Sequence, residues 1–318
     1  MKRTLLALGL LAAGMVAASA QNYPTKTIRV VVPFSAGSGT DIVARTIMDQ
    51  LSQQLGQSII VENRLGGGGT IGINSVAKAD PDGYTLLIQS TSFAVVASTY
   101  SNPGYDSKKD FAGITALVSL PNVLVVDPKK HKTVKDMVAY AKANPGKMNY
   151  ASAGAGSAAH LNGERFRLAT GTEMQHIPYK GGPEGVNAVL SGDCDFYFIP
   201  LPAARGLVSA GKLAVLAVSG SKRSAALPDT PTTVEAGYPN SDYNFWVGFF
   251  APAGTPKAIV EKLNAETIKA MQNSAVKEKL ASIGGDALPM KPAEFDAFVS
   301  KEIDINAELV KAAKVQIN

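Results

Sequence analysis

One short passage near the start of the chain constrains the fold most: an apolar strand pattern that runs through a loop of small residues into a helix. Residues 30–32 form a β-branched run, which is typical of a buried strand. The next residues are mostly small, and a helix pattern begins at Thr40 or Asp41. Backbone N–H groups at a helix N-terminus attract anions. Because this loop holds no lysine, histidine or obvious nucleophile, it predicts a site that holds a small acid without reacting with it.

Strand and helix patterns alternate along most of the chain. The alternation extends from residue 27 to residue 219 and predicts an α/β fold with mostly parallel sheets. Amphipathic helix patterns follow at residues 257–273, 275–283 and 292–313. Two α/β units followed by helices indicate a two-lobed protein whose C-terminal helical segment packs on the first lobe.

The chain is expected to cross between the two lobes twice, near residue 122 and near residue 247. The first lobe then comprises residues 21–122 together with 247–318, and the second lobe comprises residues 123–246. On this division, Pro121-Asn122 and residues 244–248 are the hinge strands.

The first twenty residues have the pattern of a secretory signal peptide. Lys2 and Arg3 precede an apolar run at residues 4–18, and small residues lead to Ala20. This pattern predicts cleavage after Ala20 and export of the mature chain. A membrane anchor is the alternative, but the apolar run is shorter than the roughly 20 residues that a span needs.

The charge balance argues against a nucleic-acid partner. The chain has 31 basic and 26 acidic residues, a net charge of +5, without a basic run. A weakly basic surface suits an acidic small molecule at least as well.

The residues that common catalytic or metal sites require are missing from the sequence. No serine lies in a Gly-x-Ser-x-Gly motif, and His131, His160 and His176 are far apart without ligand-type spacing. The single cysteine, Cys194, lies in an apolar strand pattern and is interpreted as a buried hydrophobe. A Gly-x-Gly-x-x-Gly match at residues 67–72 lacks the acidic residue of a dinucleotide site and is interpreted as a structural turn. We therefore predict no catalytic residue, no metal and no cofactor.

Small-residue turns follow three of the predicted strands, at residues 34–41, 90–92 and 152–157. Open α/β sheets bind ligands at the carboxyl ends of their strands. The third turn resembles the first, because small residues again lead into a helix start, here at Ser157. Two such loops in separate lobes favour a two-lobed binding protein.

Several motifs along the chain resemble those of one protein family. They are YPTKTIR at residues 23–29, VENR at 61–64, ADPDGYTLL at 79–87, HIPYKGG at 176–182, LPDTPT at 227–232 and APAGTP at 251–256. Together they resemble the Bug family, the periplasmic substrate-binding receptors of tripartite tricarboxylate transporters. The similarity covers essentially the whole mature chain.

The resemblance implies a monomeric Venus-flytrap protein in the periplasm, which closes on a small organic carboxylate and delivers it to a membrane permease. The acids considered are di- and tricarboxylates, acidic amino acids and aromatic acids, held with ordered water as a bridge. The ligand-binding residues that it implies are, in the first lobe, Phe34, Ser35, Gly39, Thr40, Asp41, Ser90, Thr91 and Ser92, and in the second lobe Ser152, Gly154, Gly156 and Ser157, with Asp195 and Phe198 near the far wall.

Some interpretations stay open at the level of sequence. Residues 35–38 depart from the family's usual Pro-Phe-x-Pro-Gly-Gly loop, so the identity of the ligand cannot be inferred from that of other members. Asp41 could position a ligand or cap its helix. Strand alternation puts Phe196 and Phe198 on one face and Tyr197 on the other.

Alternative functions are a secreted α/β enzyme acting on a carboxylic acid, or a ligand sensor for a membrane signalling partner.

Overall fold

The computed structural model describes residues 22–317, so the predicted signal peptide lies outside the described residues. Two β-sheets organise the fold, each flanked by helices. In chain order the elements are β1 (Ile28–Val32), α1 (Gly39–Leu55), β2 (Ile59–Asn63), a 3-10 turn (Gly67–Gly69), α2 (Thr70–Ala77), β3 (Thr85–Ser90), α3 (Ser92–Thr99), β4 (Phe111–Leu120), β5 (Asn122–Val126), α4 (Val134–Ala143), β6 (Met148–Ser152), α5 (Ala158–Thr170), β7 (Met174–Pro178), α6 (Gly182–Ser191), β8 (Phe196–Pro200), α7 (Leu201–Ser209), β9 (Ala214–Val218), β10 (Phe245–Pro252), α8 (Lys257–Gln272), α9 (Ser274–Ser282), β11 (Asp286–Ala287) and α10 (Pro292–Ala313).

The two sheets have mixed strand directions. The first sheet has the order β11-β4-β10-β3-β1-β2, in which β1 is parallel to β2 and β3 whereas β10 is antiparallel to β3 and β4. In the second sheet, of order β7-β6-β8-β5-β9, β6 is parallel to its neighbours and β5 is antiparallel to β8 and β9. The prediction of mostly parallel sheets is therefore wrong. The antiparallel pairs involve strands that carry the chain between the sheets, which do not follow the strand–helix–strand rule that makes neighbours parallel.

Each sheet and the helices on it form one lobe, which confirms the two-lobed α/β prediction. The chain leaves the first sheet through Pro121, which separates β4 from β5, and it returns between β9 and β10. Within the described residues, no helix is long and apolar enough to cross a membrane.

The C-terminal helices pack on the first lobe, as predicted. Helix α8 lies against α1 and β4, and α10 lies against α3 and β4. The ring of Phe295 in α10 is buried over Gly113 and Gly248, where an added Cβ would contact that ring. The missing side chains on β4 and β10 thus allow the helix to approach the sheet closely.

Sequence patterns missed some elements. Strand β4 and helix α3 were not predicted, and residues 90–92 were interpreted only as a turn. Strand β10 extends eight residues, well beyond the predicted hinge at residues 244–248. Cys194 precedes β8 and is 1% exposed, so its predicted burial is confirmed.

Candidate functional site

A small cavity lies between the two sheets and is lined from both. Its free volume is about 30 Å³, and the lining includes the N-terminal residues of five helices. We call it the serine cavity, and its polar lining residues are Ser38, Thr40, Ser90, Ser92, Ser157 and Tyr197. The helices whose first turns or cap residues border it are α1, α3, α5, α6 and α7.

The loops before α1 and α5 have the same construction. In each, a serine caps the helix: Ser38 Oγ accepts the N–H of Asp41, and Ser157 Oγ accepts the N–H of His160, both at 3.3 Å. The residue three positions after the capping serine accepts a hydrogen bond from the backbone N–H of the glycine that precedes this serine. Asp41 Oδ2 accepts from Gly37 at 3.0 Å, and His160 Nδ1 accepts from the glycine before Ser157 at 3.1 Å. The predicted similarity of the two loops is thus found in their hydrogen bonds.

The cavity presents hydrogen-bond donors to a ligand from the first lobe. The N–H groups of Gly39 and Thr40 belong to the first turn of α1 and have no intrahelical acceptor. The Thr40 side chain lines the cavity, and the residue is 2% exposed. Each of these groups can donate to an anion.

A hydrogen bond joins the two lobes at the wall of this cavity. The N–H of Ala158, in the first turn of α5, donates to Ser92 Oγ at 2.9 Å, and Ser90 Oγ lies 3.2 Å from Ser92 Oγ. Because Ser92 Oγ and Ser157 Oγ accept backbone N–H groups, their hydroxyl protons are directed elsewhere and can reach a ligand.

The positive potential of the cavity comes from peptide dipoles. None of its lining residues carries a charged side chain. Helix N-termini carry a partial positive charge, and several of them converge here. Burial raises the pKa of Tyr197, so its phenol stays neutral. The arrangement can hold one anionic group and has no nucleophile or base that would attack it.

Neither of the two roles left open for Asp41 matches its place in the structure, because it does not line the serine cavity and is not the cap residue of α1. Ser38 is the cap residue. The Asp41 carboxylate accepts from Gly37 N–H at 3.0 Å, Asn63 Nδ2 at 2.9 Å and Arg45 Nε at 3.1 Å. These hydrogen bonds occupy both carboxylate oxygens and hold the first loop in its conformation. Asp41 therefore supports the site by positioning this loop.

Asp195 and Phe198, predicted near the far wall, do not line the serine cavity. Asp195 accepts from Asn149 N–H at 2.8 Å and from Lys130 Nζ at 2.9 Å. Phe198 packs against Phe166, with ring centroids 5.4 Å apart. The predicted alternation along β8 is correct, but the face that meets the cavity is the opposite one, which carries Tyr197.

The remaining predicted residues surround the cavity in different ways. Phe34 lines it directly. Thr91 Oγ1 accepts from Trp246 N–H at 2.9 Å and so fixes β10 beside the site. Ser35 Oγ donates to Glu184 Oε2 at 3.3 Å and joins the two lobes at the cleft edge.

Ser152, Gly154 and Gly156 shape the second loop. Ser152 Oγ donates to the carbonyl oxygen of Gly154 at 3.0 Å. Gly154 lines a larger adjoining cavity of about 510 Å³, and Gly156 lies beside Tyr100. Ala153 borders both cavities.

The two lobes are closed on each other at the cleft. Tyr100 Oη donates to the carbonyl oxygen of Ala155 at 3.0 Å. An added Cβ on Gly68 would overlap the same carbonyl group, and an added Cβ on Gly39 would lie 2.6 Å from Pro200 Cβ. Backbone of one lobe thus rests directly on the other at these positions.

Sequence reasoning missed several residues that line the serine cavity. Tyr197, Pro200 and Phe245 belong to β8 and β10, which come to the cavity only through sheet pairing. Ser38 could have been found, because a serine three residues before an aspartate at a helix start is a capping pattern. No group of three or more histidine, cysteine or acidic side chains that could bind a metal is found among residues 22–317.

The comparison with known families decides the class of protein. The model of the tripartite tricarboxylate transporter family receptor matches residues 43–315. The chain belongs to this family. Its members are solute receptors, so the enzyme alternative is excluded and the resemblance to the Bug family is confirmed.

Solved structures of similar proteins have the same fold. The periplasmic binding protein BugD is 35% identical, covers 92% of this chain and 99% of its own, and has a TM-score of 0.88. Rpa4515 of R. palustris, solved with adipate, is 33% identical over 93% of this chain and 99% of its own, with a TM-score of 0.89. MatC of Rhodopseudomonas palustris, solved with bound malate, is 31% identical over 91% of this chain and 100% of its own, with a TM-score of 0.85.

Proposed function

We propose that this family member is a periplasmic receptor that binds a small organic carboxylate between its lobes and delivers it to a membrane permease. The observation that carries the proposal is the convergence of helix N-termini from both lobes on the serine cavity, which has no charged side chain in its lining. A carboxylate there accepts from first-turn N–H groups and serine hydroxyls.

The two adjoining cavities support a division of the ligand into head and body. The serine cavity, at about 30 Å³, has room for about two waters, since one water needs roughly 10–15 Å³. We propose that a single carboxylate replaces such waters, and that the remainder of the molecule extends past Ala153 into the 510 Å³ cavity. The malate and adipate found with two relatives are diacids of different length, which is compatible with one anchored end.

A ligand panel tests the proposal. Malate, adipate, succinate, aspartate and benzoate are compared with the uncharged diamides of the same diacids by calorimetry and thermal shift. We expect at least one acid to bind and to raise the melting temperature, while its diamide does not bind. Binding of neither acids nor diamides, or equal binding of both, would contradict a carboxylate site.

A pair of threonine variants on one helix locates the site. Thr40→Val removes a cavity hydroxyl with little change in volume, and we expect affinity to fall about tenfold, as for one lost hydrogen bond to a charged group. Thr46→Val is the matched control, because Thr46 Oγ1 donates to the carbonyl oxygen of Ile42 at 2.8 Å away from the cavity. Equal affinities of the two variants would remove Thr40 from the site.

The lobe boundaries and the partner belong to the same proposal. We propose lobes of residues 21–122 with 247–318 and of residues 123–246, joined by hinges at the crossings, and a monomer that docks on its permease when closed. Ligand uptake by cells that lack only this receptor tests the transport role. Uptake equal to that of wild-type cells, with loss of a ligand-induced transcriptional response instead, would support the sensor alternative.

A further inference from the structure

Two histidines that the sequence places 16 positions apart stack directly behind the second loop of the site. The imidazole rings of His160 and His176 have centroids 3.7 Å apart and an interplanar angle of 11°. The ring of Tyr150 lies beside the pair, with its centroid 5.1 Å from that of His176 and 6.4 Å from that of His160. The stacked imidazoles lie beneath the loop at residues 152–157.

Both imidazoles are hydrogen-bonded to that loop. Gly156 N–H donates to His160 Nδ1 at 3.1 Å, so the neutral ring carries its proton on Nε2. His176 Nε2 lies 2.6 Å from Ser152 Oγ and donates to it, because the Ser152 hydroxyl gives its own proton to the Gly154 carbonyl oxygen. The first and last turns of the loop are therefore each held by one ring.

The first loop shows what is unusual about the second. At the position of His160, the first loop has Asp41, whose carboxylate accepts the equivalent glycine N–H at 3.0 Å. An aspartate keeps that acceptor charged throughout the ordinary range of pH, whereas an imidazole loses its acceptor when it gains a proton. The two lobes thus have the same loop with different dependence on acid.

We propose that the neutral imidazoles of His160 and His176 are positioning groups that hold the loop at residues 152–157 in its ligand-binding shape, so that acid releases the loop and weakens ligand binding. The proposal rests on the proposed function, because Ser157 at the end of this loop lines the serine cavity. A proton on His160 Nδ1 would oppose the Gly156 N–H, and two charged rings could not stay stacked.

The groups around the pair favour the neutral state. Burial, together with a smaller effect of the Arg167 charge, lowers the pKa of His160 to about 4. Burial and the neighbouring His160 lower the pKa of His176 to about 3, against a smaller opposing effect of Glu164. Glu164 is itself paired with Arg167 at 2.7 Å and accepts from Tyr150 Oη at 2.5 Å, so its charge is already shared.

The size of the effect follows from linkage. When the released loop exposes His160, its pKa returns from about 4 towards 6.5. The equilibrium between the held and the released loop therefore shifts about thirtyfold towards the released loop when the pH falls from neutral to 5, through the titration of His160 alone.

Binding of malate and of adipate from pH 7.5 to pH 5 tests the proposal with three proteins. His160→Asn with His176→Gln keeps hydrogen-bonding groups at Nδ1 and Nε2 but does not titrate. His131→Asn is the matched control, since His131 is buried beside Tyr140, away from the loop. Comparing proteins at the same pH cancels the titration of the ligand itself.

Relative to its own affinity at pH 7.5, we expect each of wild type and His131→Asn to bind more weakly at pH 5 while the double variant does not, and about thirtyfold is the upper limit of this loss because the held loop is the starting state. Parallel pH profiles for wild type and the double variant would overturn the proposal.

Nitrogen NMR of the ligand-free wild type separates this proposal from the proposed function. We expect His160 to carry its proton on Nε2 at pH 7, and the Gly154 and Gly156 amides to shift together with the imidazole titration. A proton on Nδ1, or loop amides that stay unchanged through that titration, would overturn the positioning role. Failure of every acid of the panel to bind at pH 7.5 would reject the carboxylate function alone, because the NMR result stands without ligand.

Discussion

Replacing Gly68 by alanine should separate closure of the lobes from stability of the fold. The backbone of Gly68 has φ +61°, and an added Cβ would overlap the carbonyl oxygen of Ala155 in the other lobe. It would also lie 3.3 Å from the carbonyl carbons of Ala155 and Gly156. All these neighbours are backbone atoms, so no side chain can rotate away. The lobes must stay further apart to accommodate the methyl group.

The loss in affinity can be worked out from the contacts that closure makes. When the lobes stay further apart, the hydrogen bond from Tyr100 Oη to the carbonyl oxygen of Ala155 and the one from Ala158 N–H to Ser92 Oγ are lost. Each contributes about 1 kcal/mol, so closure is weakened by about 2 kcal/mol. Ligand that needs the closed form should then bind about thirtyfold more weakly, since about 1.4 kcal/mol is a factor of ten.

Gly56→Ala is the control for backbone strain. Gly56 ends α1 with φ +62°, and its added Cβ would have no neighbour within 4 Å. Both variants should therefore lose about 1 kcal/mol of unfolding free energy from left-handed backbone. Calorimetry with the tightest acid of the panel, and the radius of gyration from solution scattering, should change only in Gly68→Ala. Equal affinity in the two variants would refute the closure argument.

Three further outcomes are expected. Asp41→Ala should lower the unfolding free energy in urea by about 3 kcal/mol, because three hydrogen bonds to the buried carboxylate are lost, each contributing about 1 kcal/mol; an unchanged midpoint would contradict this. Ser92→Ala should weaken ligand binding at least fivefold with little change in melting temperature, because the lobe-joining bond from Ala158 is lost together with a hydroxyl that lines the cavity. Buried His160 and His176 have pKa values of about 4 and 3, below the 6.5 of the unfolded state, so the unfolding free energy should fall as pH drops from 6.5 to 4. A flat profile in urea titrations would refute the last prediction.

The sequence predicted the local units well. The strand–loop–helix passage, the small-residue loops and the C-terminal helices all follow from short-range patterns, and α1 begins within two residues of the expected position. Local patterns have this power because caps, loops and amphipathic faces depend on neighbouring residues.

Long-range placement could not be predicted in the same way. Alternation along β8 separated Tyr197 from Phe198, but only sheet packing decides which of them meets the cavity. Asp41 is engaged by Asn63, a partner 22 residues away. The stacked histidines likewise come together only when β7 pairs with β6 beside α5.

Attraction by peptide dipoles has a consequence for a protein exposed to a changing medium. Lysines around an anion would lose charge in alkali and would be screened by salt in open solvent, whereas a helix dipole has no proton to lose. Buried interactions are also screened less than exposed ones. The serine cavity should therefore still bind a carboxylate ligand at high pH and at high salt concentration. On the proposal above, low pH is then the condition that releases the ligand.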